Sequence, residues 1–205
     1  MVGSFSVTAE KECIPMEARN PRELFLDLVE KEKPSPVLEI GTHQSVPGQS
    51  THHMAWFPHI ERENYTMSDI FSGEDVDEVA DIHNIPDHWN SKYQAFISLS
   101  VFEHLDRPWI AARQIERLLA PGGLCYIRTH QSFPLHGFPH DFFRFSEKGL
   151  SLILNDAGLE VLSSGYEDRC KIIPPDRVVH YYMVDQWNEN HPSYIHVHIV
   201  ARKPY

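Results

Sequence analysis

The sequence predicts a doubly wound α/β fold: a mostly parallel, seven-stranded sheet with an antiparallel last strand. Three observations predict it. Short apolar runs of strand type alternate with amphipathic runs of helix type, which is the pattern of βαβ units. The chain has 205 residues, 41% of them hydrophobic, enough to build one domain around a buried core. The last two strand-like runs have no helix-like run between them, so the last strand is expected to return as an edge hairpin.

The elements follow in order. Asn20 is suited to cap a helix and Pro21 to begin it; Leu24, Phe25, Leu28 and Val29 make an apolar stripe over residues 21–32. Residues 33–36 (KPSP) end that helix. Residues 37–41 (VLEIG) read as a short buried strand running into a turn. Further strands are expected at 65–70, 78–82 and 95–100. Pro108 opens a helix through Leu119, with Ile110, Ile115, Leu118 and Leu119 on its apolar side. Pro121, Gly122 and Gly123 break it before a fifth strand at 124–128. Ser146 is suited to cap a helix that runs to Ala157 and stops at Gly158. A sixth strand starts at 159–162 and a seventh covers 194–201. Between them, residues 165–193 read as a long, partly ordered loop with Pro174, Pro175 and Pro192, and loops of this length are often functional.

Composition excludes several classes. The formal net charge is −11, which argues against gripping a nucleic-acid backbone. No apolar run approaches the roughly 18–20 residues that span a bilayer, and the first residues lack the basic and apolar regions of a signal peptide. A cytoplasmic location is expected. Cys13, Cys125 and Cys170 form no CxxC pair, and an odd count does not suggest a disulfide framework. Cys125 falls in a buried strand and reads as a small apolar filler.

Candidate chemistry lies at strand ends, because ligands of doubly wound folds sit beyond the carboxyl ends of the strands. After the first strand come Glu39, Gly41 and Thr42. The glycine allows close backbone approach and the carboxylate suits a charged amine; an ordinary strand-turn with an acid is the alternative. Asp69 ends the second strand, where an acid can accept both hydroxyls of a ribose, or simply form a turn. Asp81 and Ile82 end the third, placed to meet an adenine amino group and ring, or to cap a turn before Pro86. Acids thus recur at three successive strand ends, and the fourth strand ends in Ser100 followed by VFEHL.

Residues 96–123, reading FISLSVFEHLDRPWIAARQIERLLAPGG, resemble class I methyltransferases of the type 11 group, in which a strand, an EHL segment, a helix and PGG follow one another. VLEIG and VADIHNIP resemble that group's first motif and the segment after its third strand. The stretch from His140 to Ser146 (HDFFRFS), with the later Gly149-Leu150 and Ala157-Gly158-Leu159, resembles its later part. The resemblance spans about residues 36–165 and implies a Rossmann-like methyltransferase fold with S-adenosylmethionine as cofactor. It implies Glu39 and Gly41 near the methionine moiety, Asp69 on the ribose, Asp81 and Ile82 on adenine, and Ser100 beneath the sulfonium. The glycine-rich loop is thinned to Gly41 and Gly48, which makes the methionine half of the pocket unusual.

Fourteen histidines are the other feature. The segment after strand five brings His130, His136 and His140 close in sequence to Asp141 and Arg144. Three readings stay open. These groups pack a loop; or His140 or His136, with Asp141, serves as base for a hydroxyl acceptor; or His130, His136, His140 and Asp141 ligate a metal. The spacing matches no defined metal motif, so no metal is expected. The histidines at 43, 52, 53, 59, 83, 88 and 104 read as surface or structural residues. Tyr181 and Trp187 in the 165–193 loop, with His130 and Arg144, are candidates for acceptor binding under a lid, or they cover a sheet edge. The leading expectation is methyl transfer to a small-molecule hydroxyl, a sugar or other polar metabolite, with no nucleic acid or membrane partner and a homodimer allowed. Its rivals are a non-catalytic binding or partner protein of the same fold and a His-rich metal-binding variant.

Overall fold

The computed structural model describes residues 20–205; Cys13 lies outside them. Asn20 starts the first helix, α1 (Pro21–Glu32), by accepting the amides of Arg22 at 2.9 Å and Glu23 at 3.3 Å. Capping in this way satisfies amides that have no partner in the first turn. Strands β1 (Val37–Ile40), β2 (Tyr65–Asp69), β3 (Glu78–Val79) and β4 (Tyr93–Leu99) follow, then α2 (Pro108–Leu118) and β5 (Leu119–His130). After these come α3 (Glu147–Asp156), β6 (Glu160–Cys170), α4 (Val184–Asn190) and β7 (Ser193–Arg202).

All seven strands form one sheet in the order β3-β2-β1-β4-β5-β7-β6. β1 pairs with β2 and β4, and β4 with β5, in parallel. β7 inserts antiparallel between β5 and β6. Both faces of the centre are buried. Leu38, Phe96 and Ile127 face α2 and α3 through Ile115, Leu118 and Leu150. Val37, Ile97 and Tyr126 face the other way, onto Phe25 and Val29 of α1. Alternate residues of one strand supply opposite layers, as period-two geometry requires. Cys125 is fully buried in the first of these layers, and burial pushes its thiol well above the usual range. Among the described residues no helix is long and apolar enough to cross a membrane.

Four elements depart from expectation. β3 stops at Val79, because the Asp81 carboxylate accepts the His83 amide at 2.9 Å and turns the chain. β5 starts before the expected break and passes through Pro121, Gly122 and Gly123. There Gly122 takes φ +79 and donates to the Lys203 carbonyl at 2.9 Å, so the edge pairs despite its composition. β6 runs on to Cys170, because its partner β7 stays in register as far as Ser193. A helix, α4, does lie between the last two strands. It spans only two turns, too short for periodicity to reveal it, and is held by Asn188, whose side chain bonds Ile172 N, Ile172 O and Val184 O at 2.8–2.9 Å.

Candidate functional site

The strand order reverses between β1 and β4, and a cavity of about 690 Å³ opens at their carboxyl ends. Ligand sites are typically of this size and in this place. Gly41, Asp69, Asp81, Ile82, Ser100 and His140 all line it. Gly41 must be glycine on two grounds: φ is +81, and a Cβ there would overlap Cγ2 of Val101. Its amide donates to the Ser68 carbonyl at 2.9 Å, tying the turn to β2.

Past this turn, side chains do the work that a glycine-rich loop would leave to backbone. Asp75, itself at φ +62, is the hub. Its carbonyl accepts the Thr42 hydroxyl at 2.6 Å, and its carboxylate accepts Gln44 Nε2 at 2.7 Å and the Ser50 hydroxyl. The Ser50 and Gln44 hydrogen bonds hold that carboxyl below its ordinary range. Thr42 is buried beneath the loop and lies off the cavity wall. Glu39 lies off it as well. Its buried carboxylate accepts the His53 amide at 2.8 Å, meets His53 Nδ1 at 2.7 Å and accepts the Tyr65 hydroxyl. Burial and the Glu39 charge push that hydroxyl far above its usual range.

Asp69 keeps an accessible carboxylate on the cavity wall. Its oxygens take the amides of Phe71 at 3.0 Å and His43 at 3.3 Å, which orient the group and leave lone pairs free. Phe71 and Ile70 line the cavity beside it and are largely exposed, a flat apolar pair that patterning did not single out. Asp81 is held by the His83 amide and ring. Burial pushes its carboxyl up, but those hydrogen bonds outweigh it and leave the group below the usual range. Ser100 sits at φ +53 with its amide on the Arg128 carbonyl at 2.8 Å, so strand β4 ends in a strained turn at the cavity floor.

Beyond β5 the arrangement differs. Arg144 grips the carboxylate of Asp141 with contacts of 2.5 and 2.9 Å, and also bonds the carbonyls of Phe133 and Pro134 at 3.1 and 3.0 Å. Asp141 in turn accepts the His136 amide at 2.9 Å. The Arg144 guanidinium and this amide hold the Asp141 carboxyl well below the carboxylate range. Asp141 and Arg144 thus staple residues 133–144 into a fold of their own, and neither lines the cavity. His140 does line it, and its carbonyl receives His104 Nδ1 at 2.6 Å.

His130 is buried and stacks on Phe133, with ring centroids 4.1 Å apart. Tyr181 is 80% exposed and Trp187 packs on His191; both lie away from the cavity. The structure also brings His43, His83 and His104, read as surface or structural residues, to the cavity wall; His83 is held by Asp81 and His104 by the His140 carbonyl. Among the described residues, the four groups weighed as metal ligands do not converge; those that do are Glu103, His104 and His136, and separately Glu167, Asp168 and His196.

A family model described as a methyltransferase domain matches residues 16–164. A search of the curated proteins finds no match. Solved structures do match. A SAM-dependent methyltransferase from Archaeoglobus fulgidus aligns with TM-score 0.54 and 16% identity over 89% of this chain and 94% of that one. The Burkholderia thailandensis 1,6-didemethyltoxoflavin-N1-methyltransferase, solved with its substrate and S-adenosylhomocysteine, gives TM-score 0.55 and 16% identity over 91% and 78%. A Haloferax volcanii methyltransferase in complex with the Trm112 activator gives 0.53 and 18% over 82% of each chain. At these identities the likeness is one of fold. The chain belongs to the methyltransferase domain family, and its sheet is that of the S-adenosylmethionine-dependent methyltransferases.

Proposed function

We propose that the chain binds S-adenosylmethionine in the 690 Å³ cavity and transfers its methyl group to a hydroxyl oxygen of a small polar metabolite. One observation carries the donor half: Asp69, Asp81 and Ser100 lie around a single cavity at successive strand ends. Asp69 is suited to accept the ribose hydroxyls, Ile82 and Phe71 to enclose the adenine, and Asp81 to accept its amino group. The pocket fits the adenosine half well. The amino-acid half differs, since both Glu39 oxygens are already engaged by His53 and Tyr65, so a ligand ammonium must look elsewhere.

When bound, the donor supplies a methyl group already activated on a sulfonium, so the chain has only to align an acceptor, exclude water and take up a proton. His140 faces the cavity from the acceptor side and is our candidate base, with His136 and Asp141 positioning its loop. Residues 171–192 connect β6 to β7 at the same sheet edge as His130, since His130 pairs with His196 and Cys170 with Ser193. This connection is our candidate acceptor lid, which would have to close to bring Tyr181 and Trp187 to a cavity they do not line in this structure. The charge of −11 favours a neutral or cationic acceptor over nucleic acid, in a cytoplasmic enzyme.

The test is calorimetry with S-adenosylhomocysteine, followed by methyl transfer from labelled donor to a panel of hydroxylated metabolites. Binding with transfer to oxygen is expected. Absence of binding removes the reading, and binding with transfer only to nitrogen or carbon removes the hydroxyl assignment.

A further inference from the structure

Next to the cavity, two imidazole nitrogens and a buried carboxylate oxygen face one another. Glu103 is fully buried in the turn after β4. Its Oε2 accepts the Thr129 hydroxyl at 2.6 Å, and Oε1 stands 2.8 Å from His130 Nδ1; burial pushes the carboxyl up, but these contacts outweigh it and hold the group below its ordinary range. Nε2 of His104 and Nε2 of His136 each lie 3.9 Å from that Oε1, and the three atoms fall within 4.8 Å of one another. The other ring nitrogens decide the tautomers. His104 Nδ1 is 2.6 Å from the His140 carbonyl, and His136 Nδ1 is 3.2 Å from that of Pro134. A carbonyl only accepts, so both Nδ1 atoms carry a proton, and in that tautomer of the imidazole the lone pair lies at Nε2.

We propose that Glu103, His104 and His136 bind a divalent first-row transition-metal ion at the acceptor-side lip of the cavity. Three lone pairs around a buried carboxylate are satisfied at once by one cation. Protonating one ring gives Oε1 a donor but leaves the other Nε2 lone pair unmet, and protonating both sets two imidazolium ions with centroids 4.8 Å apart. His130 Nδ1, 2.8 Å from Oε1, meets one lone pair of that oxygen and leaves the other to face the two Nε2 atoms. Arg144, the nearby cation, is committed to Asp141.

Two imidazoles and a carboxylate are the donor set of zinc and non-haem iron sites that keep an open position, and offer too few oxygens for magnesium or calcium. The backbone carbonyls behind each ring are the outer partners that ligating histidines ordinarily have. A tetrahedral zinc would draw the donor atoms to about 3.4 Å apart, so the two 3.9 Å edges close by about half an ångström and the third, within 4.8 Å, closes by a rotation of the two rings. Both rings are about one-third exposed and His104 lines the cavity, so the open position faces the proposed acceptor. That last point rests on the methyl-transfer reading; the ion site does not. The second group of candidate ligands differs, because Arg128 already stands 3.2 Å from Glu167, and Asp168 is paired with His196 at 2.7 Å.

The test is to strip the purified chain with a chelator, dialyse it, titrate it with Zn²⁺ by calorimetry and load it with Co²⁺ for absorption spectroscopy. One ion per chain, with a visible Co²⁺ spectrum of low coordination number, is expected. Glu103→Gln and His136→Ala should each weaken Zn²⁺ by about tenfold or more. Asp168→Asn should leave it unchanged. Circular dichroism and urea unfolding of the same proteins report folding, and S-adenosylhomocysteine affinity tests the donor site separately. Absence of stoichiometric Zn²⁺ binding overturns the proposal, as does undiminished binding by the folded His136→Ala protein. Loss of binding in Asp168→Asn alone would move the ion to the other cluster and overturn it equally.

Discussion

At the carboxyl edge of β1, β2 and β4 the polar groups of the cavity ride on strand ends, whereas beyond β5 they ride on a loop stapled to itself. Gly41, Asp69 and Ser100 inherit their positions from a buried parallel sheet whose register is fixed by packing on both faces. His136 and His140 inherit theirs from the Arg144–Asp141 pair and from two amides, of Phe142 and Phe143, that bond the Glu103 carbonyl at 2.9 and 3.1 Å. A site built on strand ends is set by the core. A site built on a stapled loop can change its contents without disturbing the core.

The comparison can be broken at its rigid end first. Gly41→Ala must place a side chain at φ +81 and against Val101, so it should destabilise the protein by about 2–5 kcal/mol in urea unfolding. A change within about 0.5 kcal/mol would mean that the turn adapts and that the donor edge is not rigid. Next comes Asp69→Ala. Loss of charge-assisted hydrogen bonds to a ribose should weaken S-adenosylhomocysteine by about 1.5–3 kcal/mol, or roughly 10–150-fold, in calorimetry of the folded protein. Unchanged titration curves would take Asp69 out of the donor site. The smallest effect on the donor is expected from the loop. Arg144→Ala should raise amide exchange over residues 131–145, while the affinity for S-adenosylhomocysteine shifts by less than about threefold. A loss as large as that of Asp69→Ala would show that the two regions act as one.

Most of the parallel half was legible in the sequence. Pro and Asn marked the start of α1, VLEIG read directly as β1, and three acids at strand ends marked the cavity. Two of those acids line it. Glu39 does not, because side chains distant in sequence, His53 and Tyr65, enclose its carboxylate; strand position gave the depth of the residue but not its partners. The half beyond β5 was less legible. His104 and Glu103 stood in the EHL segment in plain view, yet what they face depends on where the 133–144 loop folds back, and Arg144 decides that through carbonyls ten and eleven residues away.

The alternation of apolar runs determined the sheet, its layers and the edge where ligands enter, since burial of a period-two strand depends on its own side chains. Tertiary structure alone decided the rest. It placed α4 through the bonds of Asn188 to Ile172 and replaced the glycine-rich loop with bonds to Asp75. It also turned Nε2 of His104 and His136 toward one buried carboxylate oxygen. These arrangements depend on hydrogen bonds between residues far apart in the chain, whose directions no local pattern encodes.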